Sequence, residues 1–168
     1  MSEVPLLLEC MGLKRLPRTG WVRCGVPDPE SVAAHSWGVA WLVVMLLPPE
    51  LDRGRALTYA VLHDLPEVRV GDLTPHDGVD AATKHRREEA AMASLLTSRP
   101  ELVSTWRAYE AQADDEARFV KQLDRLDMAL QAVWYQRTEG SSLDEFLTSA
   151  AKVIDHPALV PVLDALRA

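Results

Sequence analysis

The pair His63-Asp64 closes an apolar run, Ala56-Leu57-Thr58-Tyr59-Ala60-Val61-Leu62, and is followed by Leu65-Pro66-Glu67. Imidazole nitrogen and carboxylate oxygen are ordinary ligands of first-row divalent metals. Beside buried positions both are costly unless something compensates them, and a divalent cation compensates both at once. Alone, the pair reads as a polar helix end emerging into solvent. His35 lies in another apolar stretch, flanked by Val32-Ala33-Ala34 and Trp37. A lone histidine so placed is more often a satisfied core residue than a ligand. Asp124 and Asp127 lie among Leu123, Leu126 and Leu130, so one of them is expected to face inward. Together, His35, His63-Asp64 and one of these aspartates offer two nitrogens and two oxygens. Such a set suits Mn, Fe, Co, Ni or Zn better than Ca or Mg, which prefer all-oxygen shells. In a five- or six-coordinate metal it leaves positions open for water and a phosphate oxygen.

The elements that must position these residues are helices. No segment of any length alternates as a strand would, and Gly and Pro gather in a few places with helical patterning between them. The pattern predicts a first helix from about Val4 to Leu13, then a loop rich in breakers: Pro17, Gly20, Gly25 and Pro27. Asp28-Pro29 reads as an N-cap followed by proline at the first helical position. The helix it opens should run to Leu47, where Pro48-Pro49 stop it. Its part from Val39 to Leu47 is apolar all round, as in a helix at the centre of a bundle.

A third helix is expected from about Arg53 to Leu65, kinked or ended by Pro66, and 71–78 is a loop by composition. Later helices are predicted over Ala81 to Ser98, Glu101 to Gln112 and Glu116 to Arg137. Phe119, Val120, Leu123, Leu126, Leu130 and Val133 form one stripe on the last of these. Short helices are expected at Leu143 to Ile154 and Ala158 to Arg167. With no repeat, low-complexity tract or linker, residues 1–168 read as a single all-α domain. Trp37, Trp41, Trp106 and Trp134 are expected to be core or helix-packing residues. Apolar faces left exposed on the late helices would suit a homodimer.

A chain of 168 residues can bury a full core, and 48% hydrophobic with 26% charged residues argues against disorder. The net charge of -7 supplies no field for a nucleic acid polymer or an anionic membrane, while a local basic pocket for a small phosphate is compatible with it. Met1-Ser2-Glu3-Val4-Pro5 lacks the positive start of a signal peptide, and Leu6-Leu7-Leu8 is too short for its apolar region. Val39 to Leu47 is too short to span a bilayer. Cys10 and Cys24 suggest neither a disulfide framework nor a cysteine zinc site. A cytoplasmic protein is expected.

Four longer blocks follow one another in the chain: Leu13-Lys14-Arg15-Leu16-Pro17-Arg18-Thr19-Gly20-Trp21-Val22; Pro29-Glu30-Ser31-Val32-Ala33-Ala34-His35-Ser36; His63-Asp64-Leu65-Pro66-Glu67 with Gly71-Asp72-Leu73-Thr74-Pro75; and Phe119-Val120-Lys121-Gln122-Leu123-Asp124-Arg125-Leu126. In type and order they resemble the motifs of the HD-domain metal phosphohydrolases, and among these the HD-domain 5'-deoxynucleotidases. The resemblance covers roughly residues 5 to 138 and leaves the C-terminal helices, 143–168, outside it. It implies a single HD-domain helical bundle and makes His35, His63, Asp64 and Asp124 the metal ligands. It also implies one divalent transition metal (Mn, Co, Fe, Ni or Zn), a nucleoside 5'-monophosphate-like substrate and a homodimer. Ala34 departs from the pattern, standing where an acidic residue is common before the first histidine.

The same resemblance assigns further roles. Glu67, one turn after Asp64, is placed to handle a proton. Asp72 would bind a sugar hydroxyl or orient water; as a turn residue it could equally bond its own backbone. Arg18 would meet the phosphate, where a planar guanidinium gives two parallel contacts. Trp21 would line the sugar-base pocket. The second His-Asp pair, His76-Asp77, lies between Pro75 and Gly78 and reads as turn chemistry. The expected activity is release of phosphate from deoxynucleoside 5'-monophosphates. The alternatives are hydrolysis of another phosphoester (another monophosphate, a cyclic nucleotide or a dNTP) and a non-catalytic nucleotide-binding regulatory module.

Overall fold

Several helix starts in this chain are set by polar side-chain caps. The computed structural model describes residues 3–140 and 142–167 and contains no β-strand among them. The α-helices are α1 (Val4–Cys10), α2 (Thr19–Arg23), α3 (Val32–Leu46), α4 (Arg53–Leu62), α5 (Glu67–Val70), α6 (Ala81–Leu95), α7 (Pro100–Glu110), α8 (Asp115–Glu139), α9 (Asp144–Ala151) and α10 (Val160–Arg167). Ser31, Asp52, Asp80 and Asp114 cap α3, α4, α6 and α8, each side chain accepting from a first-turn amide. The all-α expectation holds.

Several boundaries differ from the sequence reading, each for a local reason. α3 starts at Ser31, not at Asp28-Pro29. The Arg18 amide donates to the Glu30 carbonyl and the Val32 amide to the Leu16 carbonyl, while Pro17 and Ser31 form an isolated β-bridge. That pairing holds Ser31 extended until its own side chain can cap the helix. The breaker-rich loop contains a short helix, α2, anchored by the buried Trp21. α4 ends at Leu62, short of Leu65, with His63 as its C-cap. Pro66, which has no amide hydrogen to continue α4, becomes the N-cap of α5 instead.

α3, α4 and α8 form the central layer. Val39, Val43, Tyr59, Phe119, Val120, Leu123 and Leu126 are buried there, with Ile154, Leu159 and Leu163 closing one side from α10 and the segment before it. Met92, Leu95, Val103 and Trp106 form a second cluster between α6 and α7. Trp21, Val26, Ala132, Tyr135 and Leu143 form a third, at the end where the chain enters α3.

Of the four tryptophans expected to be core or helix-packing residues, only Trp106 is buried. Trp37 and Trp41 are 69% and 48% exposed, their rings stacked, and Trp134 is 55% exposed. α3 is apolar all round, yet only its inner side has helices to bury it. Val44 and Met45 extend the same outward face. Trp134 apart, the late helices turn most of their large apolar side chains inward, and the exposed apolar surface lies on α3 and on α1 instead. Among the described residues, no helix is long and apolar enough to cross a membrane.

Candidate metal centre

Three helices deliver the proposed ligands to one point. His35 sits on the second turn of α3, fully buried. His63 caps α4, and its Nδ1 lies 2.8 Å from the Ala60 carbonyl. A carbonyl only accepts, so Nδ1 carries the proton and Nε2 presents a lone pair inward. His35 is arranged the same way, with Nδ1 2.7 Å from Asp127 Oδ2. The two Nε2 atoms face each other at 3.3 Å. Asp124 Oδ1 lies 3.2 Å from His35 Nε2, and Asp64 Oδ2 lies 3.2 Å from His63 Nε2 and 3.7 Å from His35 Nε2.

Donors of His35, His63 and Asp64 fall within 4.8 Å of one another, and Asp124 joins them through His35. Two imidazole lone pairs cannot face each other at this distance without a proton or a cation between them. Where no metal is bound, a proton would serve. Burial and Arg18 pull the His35 pKa down, but Asp124 and Asp127 outweigh them and push it up to about 10. Asp124 is held well below the usual carboxylate range: burial opposes this, while Lys121 and His35 impose it. Asp64 is lowered against the same opposition by His63 and Arg18. Two imidazoles and two ionised carboxylates, each histidine fixed by a partner on its other nitrogen, fit a transition-metal dication.

Gly38 is part of this arrangement. A Cβ added there would lie 2.1 Å from Asp127 Oδ1. The missing side chain is what lets the Asp127 carboxylate lie against α3 and reach His35. Asp127 therefore bonds the outer nitrogen of the histidine whose inner nitrogen faces Asp124. The spacing carried a signal for both residues: Gly38 follows His35 by three, and Asp127 follows Asp124 by three, which puts each pair on one helix face.

A cavity of about 520 Å³ opens beside the cluster, a size that suits a small ligand. Arg18, Asp64, Glu67, Asp72, Lys121 and Asp124 are among the residues that line it. Gly71 takes φ +82, which ends α5 and turns the chain so that Asp72 Oδ2 accepts from the Thr19 amide at 2.7 Å. Arg18 Nη1 lies 2.9 Å from Asp64, 3.6 Å from Asp72 and 3.9 Å from Glu67. Burial, Asp64 and Asp72 together push the Glu67 carboxyl up to about 10 in the metal-free protein.

Trp21 stands at the cavity edge but is only 1% exposed. Its indole N–H donates to Glu30 and its ring packs against Phe146 and Tyr135. Three buried side-chain atoms have no hydrogen-bond partner among the described residues: Glu67 Oε2, Tyr109 Oη and Arg125 Nε. Glu67 and Arg125 line the cavity, and the Tyr109 ring meets His63 edge-on at 5.8 Å. Unmet polar atoms thus gather around the centre. His76-Asp77 contributes nothing to the cluster.

The family model described as HD domain matches residues 10–159. The Bos taurus protein named 5'-deoxynucleotidase HDDC2 is 41% identical over 93% of this chain and 80% of its own length. The Schizosaccharomyces pombe 5'-deoxynucleotidase hdd1 is 37% identical over 94% of this chain and 84% of its own. Among solved structures, a conserved hypothetical protein from Pyrococcus furiosus superimposes with TM-score 0.84 at 32% identity, covering 98% of each chain. A predicted metal-dependent phosphohydrolase from Magnetospirillum magnetotacticum gives TM-score 0.69 at 25% identity over 97% of this chain and 88% of that one. All-helical architecture, buried histidine-aspartate cluster and family match agree: the chain belongs to the HD domain family. Within that family it is similar to proteins named as 5'-deoxynucleotidases.

Proposed function

We propose that this chain is a divalent-metal-dependent 5'-nucleotidase that releases phosphate from deoxynucleoside 5'-monophosphates. The observation that carries the reading is the inward-facing set of His35, His63, Asp64 and Asp124 at the wall of a nucleotide-sized cavity. The relatives named as 5'-deoxynucleotidases supply the substrate class.

His35, His63, Asp64 and Asp124 would hold the metal, with Asp127 and the Ala60 carbonyl fixing the two imidazoles. When bound, a divalent cation supplies Lewis-acid polarisation of a phosphoryl oxygen and acidifies water. The chain's own residues do the rest. Arg18 holds the Asp64, Asp72 and Glu67 carboxylates in one fan and turns its guanidinium to the cavity. Glu67 Oε2 has no hydrogen-bond partner among the described residues and faces the Arg18 guanidinium at 3.9 Å, so it can hold a proton or pass one on beside the reacting phosphate. Asp72, fixed by the Thr19 amide, stands where a sugar hydroxyl or a water can be oriented. Trp21 stiffens that wall from behind.

Two further parts of the reading concern setting and assembly. Cys10 and Cys24 are unpaired, which suits the reducing cytoplasm. The outward Trp37, Trp41, Val44 and Met45 face suits burial against a second copy of the chain; a solution mass of one chain would overturn this.

The activity is tested by measuring phosphate release from dNMPs, NMPs, dNTPs and cyclic nucleotides with Mn or Co. Release from dNMPs above all others is expected. Release confined to dNTPs or cyclic nucleotides would assign the same centre to another phosphoester.

A further inference from the structure

We propose that Arg125 is an anion-binding side chain of the cavity that takes the substrate's phosphate; the assignment of that anion rests on the phosphomonoesterase reading above. The cations around the cavity are not equivalent. Arg18 faces three carboxylates at 2.9, 3.6 and 3.9 Å, so its charge is already offset. Lys121 Nζ lies 3.4 Å from Asp124 and over the Tyr109 ring. Lys84 lies 3.5 Å from Glu88 and donates to the Leu73 carbonyl. Apart from the exposed Arg23, it is Arg125 that lines the same cavity and forms no ion pair among the described residues. Its Nε is buried without an acceptor, and its Nη1 reaches only the Met128 sulfur, at 3.8 Å.

A thioether is a weak acceptor and cannot satisfy a guanidinium. Leaving such a donor buried and unmet is costly. Arg18 Nη2 reaches the same Met128 sulfur at 3.7 Å, so two guanidinium groups converge on one atom. Guanidinium donors that meet only a thioether sulfur are better satisfied by an anion with several acceptor oxygens. The guanidinium fork matches a phosphate oxygen pair in shape as well as charge. Arg125 directly follows Asp124 on α8, so an anion held there lies at the ligand end of the cavity. The Phe146 wall on α9 is left for the rest of the ligand.

The test uses the metal-loaded full chain, its Arg125→Met and Arg125→Lys variants, and two probes: inorganic phosphate and 2'-deoxyadenosine. Methionine keeps the apolar stem and removes the charge. Equilibrium binding of inorganic phosphate should weaken about 10- to 100-fold in Arg125→Met, with a matching rise in KM for dAMP. The kcat should change less than about threefold, because the contact exists before the reaction as well as during it. Binding of 2'-deoxyadenosine, metal content and Tm should be unchanged. Arg125→Lys should recover part of the phosphate binding, since it keeps the charge but not the fork. Unchanged phosphate affinity in both variants overturns the proposal. So does an equal loss of 2'-deoxyadenosine binding, which would place Arg125 against the nucleoside, or a loss of metal, which would make it a support for Asp124. The two readings fail separately. A native chain that binds phosphate through Arg125 but hydrolyses no dNMP keeps the anion site and loses the nucleotidase. An active native chain with an indistinguishable Arg125→Met variant does the reverse.

Discussion

The chain contains the dipeptide His-Asp twice, at 63–64 and at 76–77, and the two pairs meet opposite surroundings. His63 is buried at the end of α4, its Nδ1 on the Ala60 carbonyl and its Nε2 against His35 and Asp64. Asp64 is gripped by Arg18. His76 and Asp77 lie exposed in a 3-10 turn over Pro75–Asp77. There the Asp77 carboxylate turns back on its own loop, accepting from the Thr74 amide at 2.6 Å and the Thr74 hydroxyl at 2.7 Å. The first pair is aimed by its own helix end and by residues from distant parts of the chain, the second by its own turn alone. A histidine-aspartate pair becomes a ligand pair when burial removes water and a partner on the far nitrogen fixes the ring.

The largest expected effect comes from removing the first pair's carboxylate. Asp64→Ala should abolish both metal retention and phosphate release, with a rate loss of about three orders of magnitude or more if the metal carries the electrostatic part of the barrier. Metal analysis of the purified variant and a phosphate assay read this together. A variant that keeps metal and rate would erase the contrast between the two pairs. Glu67→Gln comes next. It preserves shape but cannot give up or take a proton, so the rate should fall about 10²- to 10⁴-fold while bound metal stays. Loss of metal in that variant would recast Glu67 as part of the cluster.

A smaller effect separates aiming from ligation. Asp127→Asn should weaken metal affinity about 10- to 100-fold, as loss of a histidine's outer partner does. Gly38→Ala should do the same, because a Cβ there collides with the carboxylate that aims His35. The two changes should not add. In an Asp127→Ala background the alanine at 38 has nothing to displace, so its extra cost should vanish in a double-mutant cycle read by metal titration. Additive losses would mean that Gly38 acts by another route.

How much of this was legible in the sequence follows from what each residue depends on. His35, His63, Asp64 and the pair Asp124 and Asp127 sit within or at the end of helical patterns whose periodicity sets which face is buried, so apolar neighbours were enough to suggest a set with one of the two aspartates in it. The four-block resemblance chose Asp124 as the ligand. It could not show that the other candidate, Asp127, binds the opposite nitrogen of the same histidine, because that depends on two helix axes meeting over a glycine. Helix ends were less legible. Asp28-Pro29 has ideal capping chemistry, but the Pro17–Ser31 bridge overrules it from far along the chain. Trp37 and Trp41 misled for a related reason: hydropathy shows that a surface needs covering, not whether this chain covers it. Arg125 gave no signal, since its lack of a carboxylate partner exists only once the helices are packed.

The smallest effect belongs to the second pair. Asp77 should act through the turn alone, so Asp77→Ala should leave bound metal unchanged and lower Tm slightly. Its pKa lies below the usual aspartate value because the Thr74 side chain and backbone bond its ionised form. A carboxylate lowered on folding adds stability above its unfolded value and loses it as pH falls through the folded value. The Tm difference between the native chain and Asp77→Ala should therefore be full at neutral pH and shrink only below the ordinary aspartate range near 4. Thermal melts of both chains across that range measure it. His76→Ala should leave metal content unchanged and alter this pH dependence only slightly, because the His76 amide, not its ring, bonds Thr74 and the ring's charge is a smaller influence on Asp77 than the Thr74 bonds. A loss of metal on changing either residue would mean that the exposed pair communicates with the buried one through the loop that carries Asp72.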